Sequence, residues 1–160
     1  MFREVSRDKR QILSEGRSIA ILEKASSGVL ALVGDEGYTY GVPMNYCYSD
    51  GKLYFHAMKK GHKMDAIKKH NKVSFTVIET DRIVPEEFTS YFRSVIVFGE
   101  IRTEDDVNKK KEALAKLVEK YSPEFMEKGE AEINSQIDAV QILVLDVKHV
   151  SGKEAIELAV

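Results

Sequence analysis

Several features that mark other classes of protein are scarce or missing in this sequence. Its only cysteine is Cys47, so no disulfide can form within the chain, and we expect a cytoplasmic protein in a reducing compartment. No apolar run approaches the roughly 20 residues that cross a bilayer, so we expect no membrane partner. The formal net charge is only −2 with both signs mixed along the chain, which gives no field that would gather nucleic acid.

Nucleotide-binding loops are also absent from the sequence. There is no Gly-x-Gly-x-x-Gly turn of the kind that binds dinucleotides, and there is no Walker-type loop. The basic groove of a nucleic-acid-binding barrel is missing as well, so we expect no nucleic-acid partner. Any recognition of phosphate must therefore depend on a local site.

The 160 residues fit a single domain, spanning residues 1–160, that can bury a core without disulfides. Tight turns lie at residues 35–37 and 49–51 between short apolar and aromatic runs, which predicts antiparallel strands. We expect six strands, over residues 29–33, 38–48, 52–56, 72–79, 88–101 and 141–149. The second should bend at Pro43, which should lie at a sheet edge or a bulge, and the fifth should be buried on both faces at residues 95–98.

Helical spacing and capping predict four helical segments between these strands. They cover residues 6–24 with a break at Gly16, residues 62–70, a segment that begins near Asp106, and residues 131–137. The turns between the first strands are too short for parallel crossovers. The sequence therefore predicts a mainly β protein with flanking helices, built as a small six-stranded antiparallel barrel.

One junction between a strand and a helix has the features of an anion site. A β-type run ends at His56, a short loop closes at Gly61, and a helix begins with His62 and Lys63. Free backbone N–H groups, the helix dipole and a nearby lysine together favour a phosphate there. The alternative is that Lys63 belongs to a solvated loop. Met58, in the same stretch, is interpreted as a core residue.

A second unusual segment interrupts a strand pattern with Gly41 and Pro43. Both residues weaken a strand ladder, and close approach of a ligand to the backbone is a common compensation. Asn45 could then offer its amide to a flat heterocycle. The alternating tyrosines of this segment are equally compatible with one packed face of a strand.

Four segments resemble, in this order, the pyridoxamine-phosphate-oxidase-like flavoproteins, and within them the nitroimidazole-resistance group. They are residues 40–46, residues 54–63, residues 71–75 and residues 91–99, and the closing residues 151–155 agree with them. The resemblance implies an FMN-binding split β-barrel that forms a homodimer with FMN at the interface. It also implies an oxidoreductase that passes a hydride through the flavin to a small flat acceptor, such as a nitroaromatic or quinone, with a reduced nicotinamide binding transiently.

The resemblance also assigns cofactor contacts residue by residue. The FMN phosphate would meet His62 and Lys63, with the loop at Lys60 and Gly61. The isoalloxazine ring would lie along Pro43, Met44, Asn45 and Tyr46, with His56 nearby. The ribityl chain would follow Arg93, Ser94 and Val95, and Lys153 would reach the flavin of the other subunit.

His56 is the best candidate for a catalytic residue, as a proton donor or a substrate contact. The alternative is a structural imidazole that hydrogen-bonds a nearby carbonyl. No cysteine or carboxylate joins His56 and His62 at a ligand-like spacing, so we expect no metal. True pyridoxamine-phosphate oxidases carry an Arg-x-His pair near the C-terminus, where this chain has only Lys148 and His149. A flavin- or haem-binding module without turnover is the alternative function.

Overall fold

The computed structural model describes residues 1–159, and within that range the chain forms eight strands and four α-helices. The strands are β1 (Ile12–Leu13), β2 (Gly28–Val33), β3 (Thr39–Met44), β4 (Cys47–Ser49), β5 (Lys52–Met58), β6 (Lys72–Val84), β7 (Thr89–Glu104) and β8 (Val140–Glu154). The helices are α1 (Glu15–Lys24), α2 (His62–Lys69), α3 (Val107–Tyr121) and α4 (Met126–Gln136). None of these helices has both the length and the apolarity needed to cross a membrane.

All strands pair antiparallel in one sheet of order β3-β2-β6-β7-β8-β5-β4, with β1 added beside β8. The two outer strands of this order, β3 and β4, are separated in the chain only by Asn45 and Tyr46. The sheet must therefore curl until its two ends meet at this corner. The prediction of an antiparallel, mainly β protein with flanking helices is confirmed.

The prediction of six strands is wrong, because the described sheet has eight. β1 has only two residues, too few to produce a periodic pattern. The predicted strand over residues 38–48 is two strands, because the chain leaves β3 at Met44 and enters β4 at Cys47. Pro43 lies on an edge strand, as expected, and β6, β7 and β8 are all longer than predicted.

The helix boundaries follow capping residues more closely than apolar spacing. The predicted helix over residues 6–24 is shortened to α1, because the Ser14 hydroxyl accepts the Arg17 N–H at 3.2 Å and begins the helix there. Gly16 lies in the first turn of α1 and does not break it. Asp106 caps α3 as expected, accepting the Lys109 N–H at 3.0 Å. α2 begins at His62 as predicted, and α4 begins earlier than predicted.

Alternate residues of each strand fill the inside of the curled sheet. In β7, Val95 and Val97 are fully buried there, whereas Phe98 points outward and is partly exposed. The prediction that β7 is buried on both faces at residues 95–98 is therefore wrong. The strand buried on both faces is β8, because α3 covers its outer side and packs Ala113 against Ile142 and Val144.

Over β2, β6 and β7, the outer side of the sheet carries exposed apolar side chains. We call this surface the outer sheet face and define it by Val29, Val33, Ile78 and Phe98, of which Val33 is 47% and Ile78 is 65% exposed. At one end, the ring of Phe2 lies 5.4 Å from that of Phe98. Strands that expose this much apolar area are typical of an interaction surface.

Candidate functional site

The start of α2 presents unpaired backbone donors. Gly61 has φ 137° and ψ 176°, a conformation that is essentially restricted to glycine, and it turns the loop directly into the helix. The first helical hydrogen bond runs from the Asp65 N–H to the Gly61 carbonyl oxygen at 3.1 Å. No side chain of the described residues caps this helix. The N–H groups that precede Asp65 are therefore available to an anion.

Lys63 places a cation beside these donors without a matching anion. Its Nζ donates to Met44 Sδ at 3.3 Å, and no carboxylate of residues 1–159 forms a salt bridge with it. The side chain is half-buried, and this burial lowers the pKa of Lys63 from its ordinary 10.5. A thioether is a weak acceptor, so the ammonium is poorly satisfied. A bound phosphate would supply the missing counter-charge.

The side chain of His62 points to other partners. Its ring stacks on Tyr40 with the ring centroids 4.1 Å apart, and Nε2 lies 3.7 Å from a carboxylate oxygen of Asp35. Asp35 also pairs with Lys69 at 3.3 Å. These contacts leave the backbone N–H as the part of His62 that can meet an anion. Lys60 is exposed in the loop before the helix.

Met44 connects this cationic corner to the gap between β3 and β4. Asn45, the next residue, is exposed, and its Nδ2 donates to the Ser26 carbonyl oxygen at 2.8 Å. The Tyr121 hydroxyl donates to the same carbonyl at 2.7 Å and accepts the Tyr46 N–H at 2.9 Å. Asn45 is therefore fixed in place by the last turn of α3.

Tyr46 cannot line a flavin ring with its side chain. The side chain is fully buried, and its hydroxyl donates to the Leu22 carbonyl oxygen at 2.6 Å. Burial raises the pKa of Tyr46 well above its ordinary value. The backbone carbonyl of Tyr46 is also occupied, because Lys120 Nζ donates to it at 3.0 Å. The resemblance places Tyr46 along the flavin ring, but in this chain Tyr46 is a structural residue.

His56 and Asn45 share a cleft of about 780 Å³ between β5, α3 and α4. Because Phe55 and Ala57 fill the inside of the sheet, His56 points outward and is exposed. The same alternation makes Met58 78% exposed, so its interpretation as a core residue is wrong. Most of the cleft wall is apolar, and its rim carries Lys128 and Glu132 from α4.

None of the side-chain hydrogen bonds within residues 1–159 involves the His56 ring, so the carbonyl-bonding alternative has no partner there. An apolar cleft with two convergent polar groups is typical of a small-molecule site. Within the described residues, no group of three or more His, Cys, Asp or Glu side chains is placed to hold a metal ion.

The residues predicted along the ribityl chain are separated from this corner. Pro43 lies opposite Val29, which lies opposite Thr76, which lies opposite Ile96 on β7. Three strand spacings are about 14 Å, so Ser94, two residues further along β7, is remote from Pro43. Ser94 pairs with Lys153 on the neighbouring strand. These two residues share one surface but not the corner at Met44.

Neither Val95 nor Arg93 has a free group that could contact a ligand. Val95 is fully buried inside the sheet. Arg93 donates to Glu154 at 2.9 Å and to Glu79 at 3.2 Å, so its guanidinium is committed to two carboxylates. Any contact of Arg93 with a phosphate would have to displace these partners.

Sequence reasoning missed the fully buried carboxylate of Glu154. Arg17 from α1 donates to both of its oxygens at 3.0 Å, and Arg93 donates to one of them. Burial alone would raise the pKa of Glu154, but the hydrogen bonds from Arg17 and Arg93 hold it below its ordinary 4.5. This cluster ties α1, β7 and β8 together and is structural. The only signal of this cluster in the sequence is the charged residue at position 154 within the closing motif.

Comparisons with solved structures agree with the observed fold. A candidate 5-nitroimidazole antibiotic resistance protein from Bacteroides thetaiotaomicron is 21% identical over 89% of this chain and 86% of that one, with a TM-score of 0.74. A flavocytochrome from Azotobacter vinelandii is 22% identical over 89% and 67% of the two chains, with a TM-score of 0.73. The FAD and haem binding protein from Mycobacterium smegmatis is 20% identical over 92% and 74%, with a TM-score of 0.78. At these identities the similarity shows the fold alone.

Comparison with curated proteins gave no match. A family model described as pyridoxamine 5′-phosphate oxidase matches residues 14–154, which include every strand from β2 to β8. Because this match spans most of the chain and agrees with its curled antiparallel sheet, the chain belongs to the pyridoxamine 5′-phosphate oxidase family of split β-barrels.

Proposed function

We propose that this protein is an FMN-dependent oxidoreductase that reduces a small flat acceptor, such as a nitroaromatic or a quinone. The observation that carries the proposal is the half-buried Lys63 ammonium at the open start of α2. Among residues 1–159, its only partner is a methionine sulfur. A single phosphate dianion satisfies both the ammonium and the free N–H groups. FMN carries one such group, which favours it over FAD as the occupant.

The edge strand β3 supports a flat ring next to this phosphate site. Gly41 and Pro43 are exposed there, and their cross-strand neighbours Ala31 and Val29 are small. An edge without bulky side chains allows a flat heterocycle to approach the backbone. The Asn45 amide, anchored through Ser26, is positioned to hydrogen-bond the edge of that ring.

Bound FMN would supply two-electron transfer between a reduced nicotinamide and an acceptor. The residues of the cleft orient the acceptor: its apolar walls take a flat ring, and Asn45 fixes the polar end. The His56 imidazole, which is exposed in the cleft, is the group placed to deliver a proton to the reduced acceptor. Oxidation of pyridoxamine phosphate is not proposed, because the C-terminal pair is Lys148 and His149, and His149 stacks on Phe2 at 4.8 Å.

A homodimer completes the proposed site. The outer sheet face is apolar and exposed, as a buried subunit interface would require. Ser94 and Lys153 are cross-strand partners, three and four strands from Pro43 in the order of the sheet. In the proposed dimer they contact the flavin that the other subunit holds at Lys63.

The proposal is tested with purified protein saturated with FMN. We expect oxidation of reduced nicotinamide to depend on a nitroimidazole or quinone and to exceed clearly the rate with free FMN at the same concentration. Equal rates with and without the protein would contradict the proposed activity. Sedimentation of the same sample should give twice the mass of one chain.

Haem binding without turnover is the second candidate function. His56 is an exposed imidazole beside an apolar cleft of about 780 Å³, and imidazole is a common haem ligand. Lys128 on the rim could pair with an acidic group of such a ligand. Titration with haem separates the candidates: tight binding that His56→Ala abolishes, without nicotinamide oxidation, would favour the binding module.

A further inference from the structure

α4 forms one wall of the cleft but is attached to the rest of the protein at few points. None of its residues is buried, and its main contacts are with α3 and the turn at Pro123–Phe125. Near its C-terminal end, the Ile137 carbonyl accepts a hydrogen bond from the buried Lys110 at 2.8 Å. The position of α4 relative to α3 therefore depends strongly on each of these contacts.

The closest approach of the two helices is at Gly129 and Val118. A Cβ atom built at Gly129 would lie 2.5 Å from Val118 Cγ1, 3.2 Å from Cγ2 and 3.4 Å from Cβ. The first distance is shorter than packed carbon atoms tolerate, so any residue larger than glycine would push α4 away from α3. Both Gly129 and Val118 line the cleft that contains His56.

We propose that the contact between Gly129 and Val118 sets the width of the cleft and thereby the size of the acceptor that fits it. The absence of a side chain at Gly129 keeps α4 close to α3, which makes the cleft narrow enough for a small flat ring. The inference rests on the proposed function in one respect, namely that the ligand of the cleft is the acceptor. The steric contact between Gly129 and Val118 does not depend on flavin. The inference assigns substrate selection to the contact between α3 and α4 rather than to His56 or Asn45.

The test compares Gly129→Ala with the matched variant Gly16→Ala. Gly16 also lies in a helix, and a Cβ there would meet nothing within 4 Å. Gly129→Ala is expected to fold, because alanine favours helix and α4 has no buried residue. The double variant Gly129→Ala with Val118→Ala removes both Cγ atoms and leaves only the ordinary 3.4 Å contact. Val118→Ala alone is its reference, because Val118 itself lines the cleft.

Two readouts are measured for each variant. The first is the affinity of the flavin-free protein for 1-naphthol and for the larger 1-pyrenol, followed by fluorescence. The second is kcat/KM with a one-ring and a two-ring quinone. We expect Gly129→Ala to raise the affinity for 1-pyrenol relative to 1-naphthol by about 10-fold, as for a pocket that gains about a methylene of width. The kcat/KM for the two-ring quinone relative to the one-ring quinone should rise by the same factor. Gly16→Ala should keep the wild-type ratio, and the double variant should keep the ratio of Val118→Ala alone.

Unchanged ratios in folded Gly129→Ala would overturn the inference, and so would a ratio that shifts equally in Gly16→Ala. A double variant whose ratio differs from that of Val118→Ala alone would also overturn it, because Gly129→Ala would then act without the Val118 contact. If the probe ratio shifts as expected but no variant oxidises nicotinamide, the cleft inference stands and the proposed activity fails.

Discussion

Replacing Lys63 by methionine tests how the phosphate is bound. The ammonium is half-buried, has no carboxylate partner in the described residues and lies at the start of α2. A hydrogen bond to a charged group contributes about 1.5 to 3 kcal/mol, which corresponds to about a 10- to 150-fold change in Kd. We expect Lys63→Met to weaken FMN binding by this factor. Methionine keeps the length of the side chain, so the fold should be retained.

Riboflavin separates the charge from the rest of the pocket. It has the same ring and ribityl chain but no phosphate, so Lys63→Met should change its affinity less than about 2-fold. Lys68→Met is the matched control, because Lys68 lies in the last turn of the same helix and is exposed. Quenching of flavin fluorescence gives all six dissociation constants in one buffer.

The pH dependence adds an independent check on Lys63. Burial lowers the pKa of Lys63 below its ordinary 10.5, and only the protonated side chain attracts phosphate. FMN affinity should therefore fall as pH rises through this lowered pKa in the wild type, and stay flat there in Lys63→Met. Equal weakening of FMN and riboflavin binding by Lys63→Met would refute a phosphate contact at Lys63. Weakening of FMN binding by Lys68→Met to the same extent would refute it as well.

Three further substitutions test other parts of the site. His56→Ala should lower acceptor turnover about 100-fold or more while flavin content stays constant; equal loss of both would make the histidine structural. Tyr121→Phe leaves the Tyr46 N–H without its acceptor and should cost about 1 to 3 kcal/mol in urea unfolding, whereas no change would show that the last turn of α3 does not hold the corner. Glu154→Gln should cost about 1.5 to 3 kcal/mol at neutral pH. Because the pKa of Glu154 is depressed in the folded state, this difference should shrink as pH falls below 4.5, and a constant difference would exclude the ionised Glu154 as its source.

Local features of the chain were predictable because their causes lie within a few residues. The turn at Gly61 and the helix that follows it are encoded by adjacent residues, and so is the cap at Asp106. The edge position of Pro43 follows from its missing N–H group. The alternation of β5 is a local signal too, because with Phe55 and Ala57 inside Met58 must point outward, and the interpretation of Met58 as a core residue overlooks it.

Features that join distant residues could not be predicted from spacing. Arg17 and Glu154 are 137 residues apart, and Arg93 and Glu154 are 61 apart, so their cluster appears only when β7 and β8 pair. The outer side of β8 is buried because α3 lies across it, which no strand pattern in β8 reports. Tyr46 reads as part of a binding motif, but its ring fills the core at the corner where the sheet closes.

A crystal structure of the protein with FMN tests most directly whether the start of α2 is the phosphate site. We expect the phosphate within hydrogen-bonding distance of Lys63 Nζ and of the first backbone N–H groups of α2, with the ring beside Pro43 and Asn45. A phosphate bound elsewhere, for example at Arg93 after displacement of Glu79, with Lys63 still on the Met44 sulfur, would contradict the account.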